Sequence, residues 1–119
     1  MSTDSSDAAT SRLSLYTSVQ GDATVVRCCG RLVTGLTDVL YSEVKRLMPH
    51  TKRIVLDLTE LTKIDSLGLG TIVGLYVSAK ASGCDLKLIN LSQQIQALFR
   101  ITRLASLFEV YGESPVKIP

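Results

Sequence analysis

Residues 53–70 read Arg-Ile-Val-Leu-Asp-Leu-Thr-Glu-Leu-Thr-Lys-Ile-Asp-Ser-Leu-Gly-Leu-Gly, and they contain the signals for a central strand followed by a helix. The segment 53–59 is rich in β-formers and nearly continuous in hydrophobicity, which is typical of a central strand covered on both faces. Residues 60–64 are predicted to form a short connection. A long apolar run then begins at Leu67 and predicts a helix that ends at Gly83.

Ser66 is a lone hydroxyl at the predicted start of this helix. The first turn of a helix carries unpaired N–H groups and the positive end of the helix dipole, so the position suits a phosphate. Gly68 and Gly70 add little bulk that would obstruct an approaching partner. The structural alternative is that Ser66 is only an N-cap, worth about 1 kcal/mol, and that Asp65 only favours the helix dipole. On the residues alone, both interpretations stay open.

The chain of 119 residues has the size of one domain, and its hydrophobic content of 45% is enough for a core. Its formal net charge is +2, and the charged residues form no block that would follow a phosphate backbone, so nucleic acid is not indicated. The most hydrophobic run, residues 67–79, is too short to cross a bilayer, which takes about 20 residues. Residues 1–10 are small, polar and acidic and lack the features of a secretory signal. We expect a disordered N-terminal tail and a cytoplasmic protein.

Hydrophobic periodicity predicts the element order β-β-α-β-α-β-α. Gly21 and Asp22 supply a turn between two β-rich stretches, which predicts a hairpin. Apolar residues at intervals of three and four predict a helix over residues 36–48, and Pro49 ends it. The inward face of the central helix is predicted to consist of Leu69, Ile72, Val73, Tyr76 and Val77.

This order places the chain in the α/β class, with a single domain over residues 11–111. Its sheet is predicted to be mixed and mostly parallel, with four to five strands, because crossover helices join the later strands. Residues 107–111 would supply the fifth strand, and Asn90 or Ser92 would cap the last helix. Residues 112–119 have no helical pattern and are predicted to be a C-terminal tail.

No enzymatic motif accompanies Ser66. The residues around it lack the first glycine of a nucleophile elbow, and His50 precedes the strand that Ser66 follows, so a Ser–His hydrogen bond is not expected. The glycines at the helix start are spaced one residue wider than a dinucleotide fingerprint, and no phosphate-loop motif occurs. Cys28, Cys29 and Cys84 have no metal-ligand spacing and are expected to pack as small hydrophobes. We therefore predict no catalytic residue, no metal and no cofactor.

Residues 53–70 resemble the central signature of STAS domains, the anti-sigma factor antagonist family. The likeness continues on both sides. Residues 30–32, Gly-Arg-Leu, resemble the G-x-L that ends the family's second strand, and residues 83–88 resemble its G-x-x-L-x-L strand. The resemblance covers residues 13–111 and implies the same α/β fold as the element order.

The resemblance also implies a function. A member of this family is a non-enzymatic regulator that binds a serine-kinase anti-sigma factor and thereby frees a sigma factor. The partner phosphorylates the hydroxyl residue directly after the motif aspartate, which corresponds to Ser66, and a serine phosphatase reverses the reaction. By the same resemblance, Asp65 orients the site. Asp57, Asp65 and Ser66 are also expected to gather at one end of the sheet, at the carboxyl ends of strands, where open α/β folds have their sites. The remaining residues that would shape the partner surface are Leu67, Gly68 and Gly70.

The chain departs from the family pattern at three places. Leu67 stands where many members have a second hydroxyl residue, Val33 stands where many have an aspartate, and residues 112–119 replace a final helix. An alternative in the same class is a STAS subunit that docks without phosphorylation in a stress-signalling or transporter complex. A more distant alternative is a small nucleotide-binding or hydrolytic enzyme that uses Ser66.

Overall fold

A four-stranded mixed sheet supports the part of the chain that the computed structural model describes, residues 12–101. The elements in chain order are β1 (Leu13–Gln20), β2 (Ala23–Leu32), α1 (Thr37–Leu47), a 3-10 turn (Met48–His50), β3 (Arg53–Ile64), α2 (Ser66–Ser82), β4 (Asp85–Ile89) and α3 (Gln93–Ile101). The predicted order β-β-α-β-α-β-α and the α/β class are confirmed. The expected fifth strand and both expected tails lie outside the described residues.

The strands lie side by side in chain order. β1 and β2 form the predicted hairpin, with Gln20 opposite Ala23 across a two-residue turn in which Gly21 has a φ of 65°. β2, β3 and β4 run parallel, so the sheet is mostly parallel with an antiparallel edge. Because all parallel strands point the same way, β2 and β3 bring their carboxyl ends to the same edge, which carries the start of α2.

β3 is longer than the sequence predicts. Residues 60–64, expected to be a connection, continue the strand and pair with the end of β2 through two register shifts. The Thr62 hydroxyl adds a hydrogen bond of 2.9 Å to the Gly30 carbonyl oxygen. β4 pairs only as far as Asp57, so beyond that point β3 has a neighbour on one side within the described residues. The second half of β3 is polar, and its residues Glu60, Thr62 and Lys63 face solvent. Because of this polarity, the sequence pattern predicted a loop there.

Alternate residues of the three parallel strands point into one buried layer beneath the helices. The strand residues of this layer are Val26, Cys28, Leu32, Ile54, Leu56, Leu58, Leu61, Leu86 and Leu88. The helices contribute Leu40, Val44, Leu69, Ile72, Leu75, Tyr76, Ala79, Ile95 and Phe99. The opposite face of β3 carries Arg53, Val55 and Asp57, which are only half-buried. The expectation that β3 is covered on both faces is therefore wrong for residues 12–101.

α2 packs on the sheet with a face slightly rotated from the predicted one. Leu69, Ile72 and Tyr76 are buried as expected, but Val77 is 53% exposed and Leu75 takes its place in the core. Apolar residues surround the helix almost evenly, so the sequence pattern gives its facing direction poorly. No helix in residues 12–101 is both long and apolar enough to cross a bilayer.

The ends of the helices follow the predicted signals. α1 ends at Leu47, and Pro49 lies in the 3-10 turn that follows. Gly83 terminates α2 in the left-handed conformation, with a φ of 76°. Ser92 caps α3, because its hydroxyl oxygen accepts a hydrogen bond of 3.2 Å from the Ile95 N–H.

Gly68 sets the distance between α2 and the end of β2. A Cβ at this position would lie 2.1 Å from the carbonyl oxygen of Leu32 and 2.9 Å from a side-chain carbon of Ile64. Only a residue without a side chain lets the first turn of α2 approach the strand so closely. Gly74, further along the same helix, has no atom within 4 Å of its added Cβ.

We expect Gly68→Ala to lower the free energy of unfolding by about 1–3 kcal/mol, because the new methyl group overlaps a backbone oxygen that cannot move aside. The matched control is Gly74→Ala, which we expect to raise the free energy of unfolding by about 0.5–1 kcal/mol, since alanine favours a helix interior. Urea unfolding followed by circular dichroism measures both. Equal effects of the two substitutions would show that the close approach at Gly68 does not constrain the fold.

Candidate functional site

Asp65 is the N-cap of α2, and Ser66 is the first residue of the helix. One oxygen of the Asp65 carboxylate, Oδ1, accepts a hydrogen bond of 2.9 Å from the Gly68 N–H. The Asp65 carbonyl oxygen accepts the first helical hydrogen bond, from the N–H of Leu69. The alternative in which Ser66 caps the helix is therefore wrong, because aspartate one residue earlier already satisfies the free N–H.

Thr34, in the loop between β2 and α1, holds the other oxygen of the same carboxylate. Its backbone N–H and its hydroxyl each donate a hydrogen bond of 2.8 Å to Asp65 Oδ2. Thr34 and Asp65 are far apart in the chain, but the parallel pairing of β2 and β3 brings them together where both strands end. We call Asp65 with its three donors, from Thr34 and Gly68, the Asp65 clamp.

The clamp stabilises the ionised form of Asp65. The Thr34 N–H has the largest influence in lowering the pKa of the carboxyl below its ordinary value of 3.8, followed by the Gly68 N–H and the Thr34 hydroxyl. These hydrogen bonds outweigh the opposing effect of desolvation. Asp65 therefore carries a full negative charge at neutral pH, beside the hydroxyl of Ser66.

Ser66 and Leu67 lie on the surface at the start of α2. Ser66 is exposed, and its hydroxyl forms no hydrogen bond within residues 12–101. Leu67 is 55% exposed. Gly70 is exposed, whereas Gly68 is buried beneath the surface against β2. The accessible part of the site is thus a hydroxyl next to an apolar side chain, above a fixed carboxylate.

Asp57 lies apart from this group. The expectation that Asp57, Asp65 and Ser66 gather at one end of the sheet is corrected, because β3 continues to Ile64 instead of ending near Asp57. The intervening stretch of strand spans roughly 20 Å at about 3.3 Å per residue. Asp57 shares no hydrogen-bond partner with Asp65 among the described residues.

Asp57 has its own polar environment at the carboxyl end of β4. Its Oδ1 accepts hydrogen bonds of 3.0 Å from the N–H of Thr59 and from the side-chain amide of Asn90. Desolvation is the largest influence on its pKa and acts to raise it. The hydrogen bonds of Thr59 and Asn90 and the positive charge of Arg27 together outweigh it and lower the pKa of Asp57.

Other groups with potential chemistry lie elsewhere. His50 is in the 3-10 turn before β3, at the opposite end of that strand from Ser66. Cys28 is buried, and burial raises the pKa of its thiol to about 12. Cys29 is half-buried, contrary to expectation, and its Sγ lies 3.4 Å from Glu60 Oε1. Among residues 12–101, no cluster of three metal-ligating side chains forms.

Thr34 is the site residue that sequence reasoning missed. The family resemblance pointed instead to its neighbour Val33, which stands where many members have an aspartate. The available signal was a threonine followed by glycine directly after a predicted strand, a pattern typical of a loop whose hydroxyl and N–H are free to bind a carboxylate. The length of β3 had to be known before that loop could be placed beside Asp65.

Comparison with known proteins identifies relatives of this architecture. The model of the STAS domain matches residues 15–114. The anti-sigma-B factor antagonist of Bacillus subtilis is 33% identical over 87 residues, which cover 69% of this chain and 80% of that protein. The anti-sigma-B factor antagonist of Listeria monocytogenes is 40% identical over 55 residues, or 46% of this chain. The chain spans about half, 48%, of this Listeria relative.

Solved structures share the fold at lower sequence identity. An anti-sigma factor antagonist from Mycobacterium paratuberculosis superimposes with a TM-score of 0.73 at 13% identity, over 82% of this chain and 83% of that one. The phosphorylated form of SpoIIAA, a cell fate determinant from Bacillus, superimposes with a TM-score of 0.62 at 20% identity, over 76% and 82% of the two chains. At these identities the likeness concerns the fold.

The clamp predicts a pH dependence of stability. A carboxyl whose pKa is lower in the folded chain than its ordinary value of 3.8 stabilises the fold above that value, and this contribution is lost as the pH falls through the lowered pKa. We expect Asp65→Asn to lower the melting temperature by roughly 5 °C at pH 7 and by less at pH 3. Asn presents an N–H₂ group to the donors of Thr34, so it replaces only part of the clamp.

Circular dichroism melting curves between pH 7 and pH 3 measure this difference. Asp38→Asn, which removes an exposed carboxylate from the first turn of α1, is the control for net charge. The wild type retains part of its pH dependence in any case, because the lowered pKa of Asp57 acts in the same direction. A gap between wild type and Asp65→Asn that stays constant over the whole range would contradict the ionised clamp.

Proposed function

Because the chain belongs to the STAS domain family, we propose that it is an anti-sigma factor antagonist that binds a serine-kinase anti-sigma factor and is switched off by phosphorylation of Ser66. The role agrees with the names of its relatives from Bacillus subtilis and Listeria monocytogenes. The observation that carries the proposal is the placement of Ser66, an exposed hydroxyl at the first position of α2 directly after a fixed aspartate.

The fold can accept a phosphate at Ser66. Phosphorylation adds about −1.5 to −2 charges at neutral pH. The first turn of α2 offers the positive end of its dipole, which favours a negative group by roughly 0.3–1 kcal/mol. Ser66 is exposed, so the phosphate needs no internal space and displaces no core residue. Phosphorylation is therefore expected to leave the free energy of unfolding nearly unchanged.

A docked partner would accept the phosphate much less readily. Asp65 is ionised, so the partner already faces one negative charge at this surface. Leu67 is 55% exposed and offers the apolar area that an interface would bury. Adding a dianion between the two places like charges in a partly desolvated interface, which can cost several kcal/mol. The same group that the helix tolerates thus opposes association.

The proposed partner surface is built from two segments that meet at the clamp. The start of α2 contributes Ser66, Leu67 and Gly70, which are exposed, and the loop after β2 contributes Thr34 and Gly35. Gly68 lies beneath this surface. Because it has no side chain, the first turn of α2 can lie close to β2.

The proposed cycle takes place in the cytoplasm and is completed by a serine phosphatase that restores the free hydroxyl of Ser66.

The second candidate is a STAS subunit that docks on a stress-signalling or transporter complex without being phosphorylated. This candidate draws on exposed Leu67, whose apolar area a partner would bury without any modification of the chain. The fold is compatible, since the murine anion transporter Slc26a9 contains a domain that superimposes with a TM-score of 0.61 at 13% identity, over 80% of this chain and 19% of that one. The following experiment separates the two candidates.

Incubation with the serine-kinase anti-sigma factor from the same organism and ATP is expected to add one phosphate to the wild type and none to Ser66→Ala. Intact-mass and peptide mass spectrometry measure the number and the position of the phosphates. Thr71→Ala, which changes another hydroxyl in the first half of α2, is the matched control and should be phosphorylated like the wild type. A wild type that binds the kinase but takes up no phosphate would favour the second candidate.

Ser66→Asp is expected to weaken binding to the anti-sigma factor at least tenfold while the melting temperature stays within about 2 °C of the wild type. The reason is that the helix dipole tolerates the new charge whereas the interface does not. Isothermal titration calorimetry and thermal melting measure the two effects, with Ser66→Asn as the uncharged control. If affinity and melting temperature fell together in the aspartate variant, Ser66 would be chiefly a structural residue.

A further inference from the structure

The Asp65 carboxylate is hydrogen-bonded to the loop after β2 and to the first turn of α2. Its three hydrogen bonds come from the Thr34 N–H, the Thr34 hydroxyl and the Gly68 N–H. Thr34 therefore supplies two of the three donors and holds Oδ2 by itself. The hydroxyl of Ser66, the next residue in the chain, takes no part in this network among the described residues.

This orientation affects how well Ser66 can receive a phosphoryl group. In phosphoryl transfer, a group on the kinase takes the proton of the attacking hydroxyl and positions its oxygen in line with the transferred phosphate. A serine next to an aspartate whose oxygens lacked other donors could donate a hydrogen bond from its hydroxyl to that carboxylate. The Ser66 oxygen would then be held by its own chain, and the kinase would have to break that contact first.

The same hydrogen bonds reduce an electrostatic obstacle. The γ-phosphate of ATP carries negative charge, and an ionised carboxylate one residue from the acceptor repels it. Donors that point at both oxygens of Asp65 place partial positive charge beside the carboxylate and so weaken this repulsion. Thr34 Oγ1, 2.8 Å from Asp65 Oδ2, is the side-chain donor among them. The backbone donors remain in any variant of residue 34 except proline, so the hydroxyl is the part that mutation can remove.

We propose that Thr34 is a positioning residue for the modification of Ser66: its hydroxyl holds the Asp65 carboxylate towards the β2–α1 loop and so leaves the Ser66 hydroxyl available to the kinase. The proposal rests on the proposed phosphorylation of Ser66. It assigns a role in acceptor presentation to a residue 32 positions earlier in the chain. Thr34 itself makes no contact with the transferred group.

The test compares Thr34→Val, which removes only the hydroxyl, with Thr34→Ser, which restores it. The matched control is Thr62→Val. Thr62 is also exposed, and its hydroxyl also joins β3 to β2, through a bond of 2.9 Å to Gly30, but it does not touch the clamp. Each purified chain is incubated with saturating ATP and the serine-kinase anti-sigma factor in excess, and single-turnover phosphorylation of Ser66 is followed by mass spectrometry.

We expect Thr34→Val to slow phosphorylation about tenfold, the effect of losing one hydrogen bond to a charged group, and Thr34→Ser to recover most of the wild-type rate. Thr62→Val should match the wild type in rate even though it loses a comparable hydrogen bond of the fold. A second readout is the carboxyl NMR titration of Asp65, in which the pKa should rise in Thr34→Val and return in Thr34→Ser.

The outcomes separate the two proposals. A wild type that takes up no phosphate overturns the proposed phosphorylation and the role of Thr34 with it. A wild type that is phosphorylated at the same rate as Thr34→Val overturns the role of Thr34 alone. Equal slowing in Thr34→Val and Thr62→Val also overturns it, because the effect would then come from a general loosening of the sheet edge.

Discussion

Three hydrogen bonds to one carboxylate, that of Asp65, hold together the segments that make up the candidate site. The loop after β2, the end of β3 and the start of α2 are separate in sequence, and the carboxylate joins them beside the apolar contacts of Leu32, Ile64 and Leu69. Gly68 allows the contact because it lets the helix come within reach of the strand. A single acceptor-only group, satisfied by donors from both sides, thereby links the polar parts of these segments at the surface.

In this arrangement, a change of charge at Ser66 has little effect on the stability of the fold. The core lies under the helices and is formed by alternate strand residues such as Leu56 and Leu86, at a distance from Ser66. The clamp and Ser66 lie side by side at the surface, but the Ser66 hydroxyl takes no part in the hydrogen bonds of the clamp within residues 12–101. A charge added at Ser66 therefore acts on whatever approaches the surface, and it disturbs few of the contacts that keep the chain folded.

Much of the fold could be predicted from the sequence because its signals are local. Gly21 with Asp22, Pro49 and Gly83 mark ends of elements by backbone chemistry, and each of them lies where it was expected. The errors occur where a residue depends on distant neighbours. Residues 60–64 are polar because they belong to a strand with one covered face, and single-sequence patterns assign such a stretch to a loop. The facing direction of Val77 was wrong because α2 is apolar on nearly all sides.

The site itself was predicted in part, for the same reason. Asp65 and Ser66 are neighbours in the chain and stay together, whereas Asp57 was grouped with them on the assumption of a shorter β3. Thr34 could not be found from its own surroundings, because its role arises from the pairing of β2 with β3.

The turn between β1 and β2 is a suitable place to attach a label or a tag. Gly21 and Asp22 are exposed, no atom lies within 4 Å of a Cβ added at Gly21, and the parallel register of β2 and β3 places the turn at the end of the sheet opposite Ser66. Exposed two-residue tips of this kind tolerate insertions well. A fluorophore or an affinity tag attached there could report on or immobilise the protein while both the hydroxyl and its surroundings remain open to a partner.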